Sequence, residues 1–174
     1  MNKAMAVGAP LIVTAELGRG DFAWLDQLRR AHYPAERNRL PAHLTLFHAL
    51  PPSAEAELRR RLAELARRPA PPATIAGVMD LGGGTAFRIV SPALDAIRAE
   101  LVHDLHGLLG AQDAGGWRPH VTIQNKVPNR EARALQEVLQ EGFVERSLVV
   151  AGLGLHRYLG GPWETLAVYA FRGR

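Results

Sequence analysis

The chain contains no cysteine, which excludes disulfides, thiolate nucleophiles, zinc fingers and iron–sulfur clusters together. Nowhere does it approach the roughly 20 uninterrupted apolar residues that a membrane-spanning helix needs, so no membrane partner is expected. Lysine is scarce. Only Lys3 and Lys126 stand among 21 basic residues, the remainder being arginine, against 17 acidic residues. Arginine forks suit phosphate oxygens, but a coding bias towards Arg, Ala and Pro produces the same excess, so the net charge of +4 permits an anionic ligand without requiring one. Aromatic residues make up only 6%, too few to favour a long platform of stacked bases. Also missing are a Gly-x-Ser-x-Gly elbow, a P-loop and a Gly-x-Gly-x-x-Gly turn, and with them the signatures of serine hydrolases, NTPases and Rossmann dehydrogenases. Gly82-Gly83-Gly84 has no Lys-Ser/Thr after it and reads as a hairpin turn rather than a phosphate cradle.

What is present is a globular composition, 47% hydrophobic and 22% charged over 174 residues. That suffices for one domain or for two small lobes sharing a core. Chemistry must come from histidine, hydroxyl, carboxylate, amine or backbone. The apolar run Ala4 to Ala15 after Lys3 superficially resembles a signal peptide, but Pro10 interrupts it and Leu11 to Leu17 has the β-branched character of a first strand. A cytoplasmic location is expected on that reading.

Helical spacing of Phe22, Leu25 and Leu28 predicts a helix from Asp21, as cap, to His32. Ala42 to Leu50 reads as a strand. A second helix starts at Ser53 with Leu58, Leu62 and Leu65 on its apolar face, and Ala73 to Leu81 and Thr85 to Val90 form a hairpin across the three glycines. The same order then repeats. Ser91-Pro92 opens a helix with the stripe Leu94, Ile97, Leu101, Leu105 and Leu108; His120 to Lys126 is a strand; Pro128-Asn129 opens a helix carrying Ala132, Leu135, Val138 and Leu139; Val144 to His156 and Trp163 to Phe171 are the last strands. Helix, strand, helix, strand, strand thus occurs twice, which predicts two similar lobes and a cleft between them, a preferred place for a ligand.

The equivalent strands read His43-Leu44-Thr45-Leu46 and His120-Val121-Thr122-Ile123. Side chains alternate along a strand, so His and Thr share one face while the aliphatic pair enters the core. A lone His-x-Thr is commonly packing or surface decoration; two copies at matching places in a duplicated order point to chemistry. Two imidazoles across a cleft suit in-line displacement at a phosphodiester, one taking the proton of the attacking hydroxyl or water and the other protonating the leaving oxygen. Histidine reaches both protonation states near neutral pH, and the threonine hydroxyls can hold the non-bridging phosphate oxygens. No cofactor and no metal are called for.

These motifs, with Arg118-Pro119 before the second, the 77-residue interval between the histidines and the duplicated order, resemble the 2H phosphoesterase superfamily, which includes 2′-5′ RNA ligases and cyclic phosphodiesterases. The resemblance spans nearly the whole chain. It implies an α+β fold, duplicated and bilobal, each lobe an antiparallel sheet with helices packed outside, in one domain over 1–174 with lobes of about 20–90 and 91–174 and a first strand over 10–17. It implies His43, Thr45, His120 and Thr122 as catalytic residues, and metal-independent action on 2′,3′-cyclic phosphates or 2′-5′ linkages. The substrates implied are RNA termini or small cyclic nucleotides, and a monomer is expected. Ligation is the same reaction reversed, with a 5′-hydroxyl replacing water. The rival is a protein that binds RNA ends or nucleotides in the same cleft without turnover.

Supporting positions are Arg118, as a phosphate holder on the face of His120, and His156 and Tyr158, at a strand end where an aromatic could stack on a base. Trp163 reads as packing. Lys126 shares the alternation of His120 but falls towards the strand end. His48, five residues from His43, is expected on the opposite face, and His103 and His106, off the apolar stripe of their helix, are expected in solvent.

Overall fold

The computed structural model describes residues 8–173; the part of the apolar N-terminal run before Gly8 lies outside them. In chain order the elements are β1 (Leu11–Leu17), α1 (Arg19–His32), β2 (Leu44–Leu50), α2 (Glu55–Leu65), β3 (Ala73–Asp80), β4 (Thr85–Val90), α3 (Pro92–Asp104), the single turn α4 (Ala111–Ala114), β5 (His120–Gln124), α5 (Asn129–Gln140), β6 (Arg146–Leu148), β7 (Val150–Tyr158) and β8 (Trp163–Ala170). This is an α+β fold. All strand pairs are antiparallel, and the order across the sheet is β6-β3-β4-β5-β2-β1-β7-β8.

The β5/β2 junction divides that order into two halves of four strands. The spatial halves exchange strands relative to the chain: β5, from the second sequence repeat, lies with β3 and β4 of the first, and β2 lies with β1, β7 and β8. Each His-x-Thr strand therefore ends at the centre of the molecule. At the junction Leu44 pairs with Val121, a register that sets His43 across from Thr122 and His120 across from Thr45. The alternation assigns the faces as anticipated: Leu44, Leu46, Val121 and Ile123 are buried in the core, and α1 packs against β5, α5 against β3 and β4, and α2 against β7 and β8.

Several boundaries differ from the sequence reading, for local reasons. α1 begins at Arg19 with Gly18 before it; Asp21 is not its cap but a buried acceptor for the Val149 N–H and the Arg146 guanidinium. α3 stops at Asp104, where Gly107 takes φ +83°, so Leu108 leaves the apolar stripe and is exposed. In α5 Val138 is exposed and Gln136 is buried in its place, its amide donating to Asp80, to the Gly84 carbonyl and to Thr85. β5 ends at Gln124; Lys126 lies beyond it at φ 62°, exposed and away from the cleft. The arginines of α2 pair with carboxylates: Arg60 with Glu57 and Glu64, Arg61 with Asp104, and Arg68, just beyond it, with Glu100. These arginines are thus engaged in ion pairs rather than held for a ligand.

Candidate functional site

The two motifs face one cleft of about 380 Å³, lined among others by His43, Thr45, Arg118, His120, Thr122 and Trp163. The imidazoles are held alike. Nδ1 of His43 lies 2.7 Å from the Pro41 carbonyl, and Nδ1 of His120 lies 2.7 Å from the Arg118 carbonyl. A carbonyl only accepts, so in both rings Nδ1 carries the proton and Nε2 is left for the cleft. In each case the acceptor is the backbone two residues earlier, just outside the strand. The carbonyls of the two threonines are anchored by distant side chains: the Trp117 indole N–H donates to Thr45 (3.1 Å) and the Arg29 guanidinium to Thr122 (2.9 Å).

The surroundings break this symmetry. The Trp163 ring lies against His43, with centroids 4.7 Å apart. Desolvation, aided by the nearby charges of Arg29 and His120 and opposed by the Pro41 carbonyl, pushes the His43 imidazole down to about 4. His43 is therefore neutral at neutral pH, with its Nε2 lone pair free. Trp163 had the look of a packing residue in the sequence. Here it is a wall shared by the two-histidine cleft and a second cavity beside it, and no local pattern marks it.

His48 corrects an expectation. Thr14 pairs with Thr45, Val13 with Phe47 and Leu11 with Leu50, so β2 holds extra residues relative to β1. Leu46 and Phe47 are consequently both buried, and alternation resumes out of phase. The bulged register puts His48 on the cleft side, where it lines the rim and bonds Asp113 through Nδ1 at 3.2 Å. The Asp113 carboxylate also accepts the backbone N–H groups of His48 (2.8 Å) and Ala49 (2.9 Å). Burial works to raise the Asp113 carboxyl, but these donors outweigh it and hold it below the ordinary value. Arg98, buried between the Phe47 and Trp117 rings, donates to the carbonyls of Leu46 and Asp113 and ties α4 to β2. Asp113, Arg98 and Trp117 shape one side of the cleft, and only tertiary contacts reveal them.

Of the supporting residues, Arg118 is exposed and lines the cleft. His156 is buried and belongs to the neighbouring cavity. Tyr158 closes β7, is exposed, and is not among the residues lining either cavity. His103 and His106 are exposed, as expected.

A sheet of two four-stranded antiparallel halves, carrying twin His-x-Thr strands at its centre, is the fold of the 2H phosphoesterases. More narrowly, the chain belongs to the 2′-5′ RNA ligase superfamily, whose family model matches residues 19–162. No curated protein sequence matches it significantly. Among solved structures it is similar to TT0787 of Thermus thermophilus, at 19% identity and a TM-score of 0.65, covering 95% of this chain and 99% of that one. It is also similar to E. coli LigT complexed with 3′-AMP, at 16% identity and a TM-score of 0.57, and to LigT complexed with NADP+, at 17% and 0.55; each match covers 94% of this chain and 98% of LigT. At these identities the likeness is one of fold. Among the described residues, no helix is long and apolar enough to cross a membrane.

Proposed function

We propose that this protein is a phosphodiesterase that opens 2′,3′-cyclic phosphates at RNA ends or on small cyclic nucleotides by paired histidine acid–base catalysis, without a metal. The observation that carries the reading is the matched pair of imidazoles in one cleft, each with Nδ1 tied to a backbone carbonyl and Nε2 free. In the opening direction His43, neutral at working pH, takes a proton from water at Nε2 as the oxygen attacks phosphorus. His120, as imidazolium, gives its Nε2 proton to the ribose oxygen leaving on the opposite side. His43 ends protonated and His120 neutral, and exchange with solvent resets both. Thr45 and Thr122 donate to the non-bridging oxygens, and Arg118 at the rim supplies a cation for the phosphate. A 5′-hydroxyl in place of water, giving its proton to His43 while His120 protonates the leaving 3′ oxygen, gives 2′-5′ ligation in the same site. Nucleotide-bearing complexes of LigT support the ligand class.

The test is turnover in EDTA of a short RNA ending in a 2′,3′-cyclic phosphate, and of the cyclic mononucleotides, by wild type, His43→Ala and His120→Ala. Activity that survives chelation and falls by about 10²-fold or more in each variant is the expected result. Nucleotide binding without turnover would mean a binding module, and activity indifferent to both substitutions would place the chemistry elsewhere.

A further inference from the structure

Behind His43 and Trp163 lies the second cavity, at about 540 Å³ larger than the cleft and sharing those two residues with it. Phe22, Leu40 and Trp163 give it apolar walls, while its floor carries Thr14, Glu16, His156 and Thr165. This floor is a built network. The Thr14 hydroxyl donates to Glu16 Oε1 at 2.7 Å, and having given its only proton it accepts from His156 Nε2 at 2.8 Å. Nδ1 of His156 then faces the Thr165 hydroxyl at 3.1 Å. Every donor along this chain runs towards one carboxylate oxygen. Glu16 is held below the ordinary carboxylate range, first by His156, whose Nε2 lies 3.5 Å from Oε1, so it is an anion. The backbone is shaped around it: Thr14 pairs with Gly154, and a Cβ at Gly154 would overlap Glu16 Oε1, Thr14 Oγ1 and His156 Nε2. The acid–base scheme uses none of these groups.

A half-exposed, oriented carboxylate under apolar and aromatic walls asks for a flat ligand that presents donors. Among the common nucleobases only guanine offers two adjacent N–H donors on one edge. Adenine and cytosine set a lone pair beside their amino group, and uracil flanks its N–H with two carbonyls, so each turns a negative atom towards the anion. Arg19, at the same cavity, supplies a donor for a ring carbonyl. We propose that this cavity is a nucleobase subsite in which Glu16, positioned by Thr14 and His156, reads the N1–H and 2-amino edge of guanine and makes guanosine the preferred carrier of the reacting phosphate. The inference rests on the phosphodiesterase reading for the reaction, but not for binding.

Two measurements test it: kcat/KM for the four 2′,3′-cyclic mononucleotides, and calorimetric binding of 3′-GMP and 3′-UMP, in wild type, Glu16→Gln and Gly154→Ala. The expected result is a guanine-over-uracil ratio of about tenfold or more in wild type, carried by KM, since a site built to hydrogen-bond rejects analogues lacking the donor. Glu16→Gln keeps the size but removes the charge, and the ratio falls by about tenfold; Gly154→Ala displaces the same network and lowers it too. Equal treatment of the two bases by wild type, discrimination unmoved by Glu16→Gln, or no binding of either nucleotide overturns the subsite. Turnover without base preference overturns the subsite alone. Guanine-selective, Glu16-dependent binding without turnover supports the subsite and overturns the phosphodiesterase reading.

Discussion

His43 and His120 are chemically alike and make the same backbone bond, yet Trp163 and the charge of Arg29 bear on His43. In the proposed reaction it is this difference, rather than the motif, that selects His43 as the base. With the His43 imidazole at about 4, the acidic limb of kcat/KM is expected near pH 4; a limb near the ordinary histidine value of about 6.5 would reverse the assignment. The same shift has a consequence for stability. Below about pH 6.5 the unfolded chain protonates this ring while the folded protein resists, so stability drawn from His43 is complete above that pH and is lost as pH falls towards 4. His43→Gln is expected to flatten that part of the stability profile in urea titrations. In the proposed reaction the threonines act where charge is held in the transition state. Thr45→Val and Thr122→Val, which keep shape and remove the donor, are each expected to lower kcat by about 10²-fold with little change in KM, as read from steady-state kinetics.

At the scale of elements, the cleft depends on pieces with little regular structure of their own. The segment between α3 and β5 carries Trp117, Arg118 and the short α4, and it is pinned to β2 through the Asp113 carboxylate and the two carbonyls that Arg98 grips. Asp113→Ala strands the His48 and Ala49 N–H groups and frees that segment. A loss of about 1–3 kcal/mol is expected by denaturant titration, together with reduced turnover because Trp117 no longer steadies Thr45. The carboxyl of Asp113 is held low in the fold, so its contribution is present above about pH 4 and disappears as pH drops through the lowered value. Unchanged stability in Asp113→Ala would mean that α4 is not held by this anchor. The β2 bulge belongs to the same scale: the extra residues after Thr45 reverse the strand's faces and bring His48 to the rim.

At the scale of the whole molecule, eight strands among the described residues make one sheet, and one continuous core includes residues of both halves. The halves meet where Leu44 pairs with Val121, the position from which the four motif side chains project. Leu44→Ala leaves a cavity at that seam and is expected to cost about 2–5 kcal/mol while keeping a single unfolding transition by calorimetry. Two separate transitions would show that the halves fold independently. Activity should fall as well, since the distance between the imidazoles is set by this junction.

Residue identity and spacing determined much of this alone. The order of elements through the first half, the glycine hairpin at Gly82, the burial of Leu58, Leu62 and Leu65, and the common face of each His-x-Thr pair all follow from interactions within a few residues along the chain, which periodicity records; the strand read over Val144 to His156 is instead two, β6 and β7, in opposite halves of the sheet, and α4 interrupts the repeat before β5. Only the tertiary structure decided the exchange of β2 and β5 between halves, the rotation of His48, the place of Trp163 against His43, and the network of Thr14, Glu16 and His156 around Gly154. Those depend on which distant strand supplies the next hydrogen bond and on how much water a neighbouring ring excludes, and neither leaves a mark on local spacing.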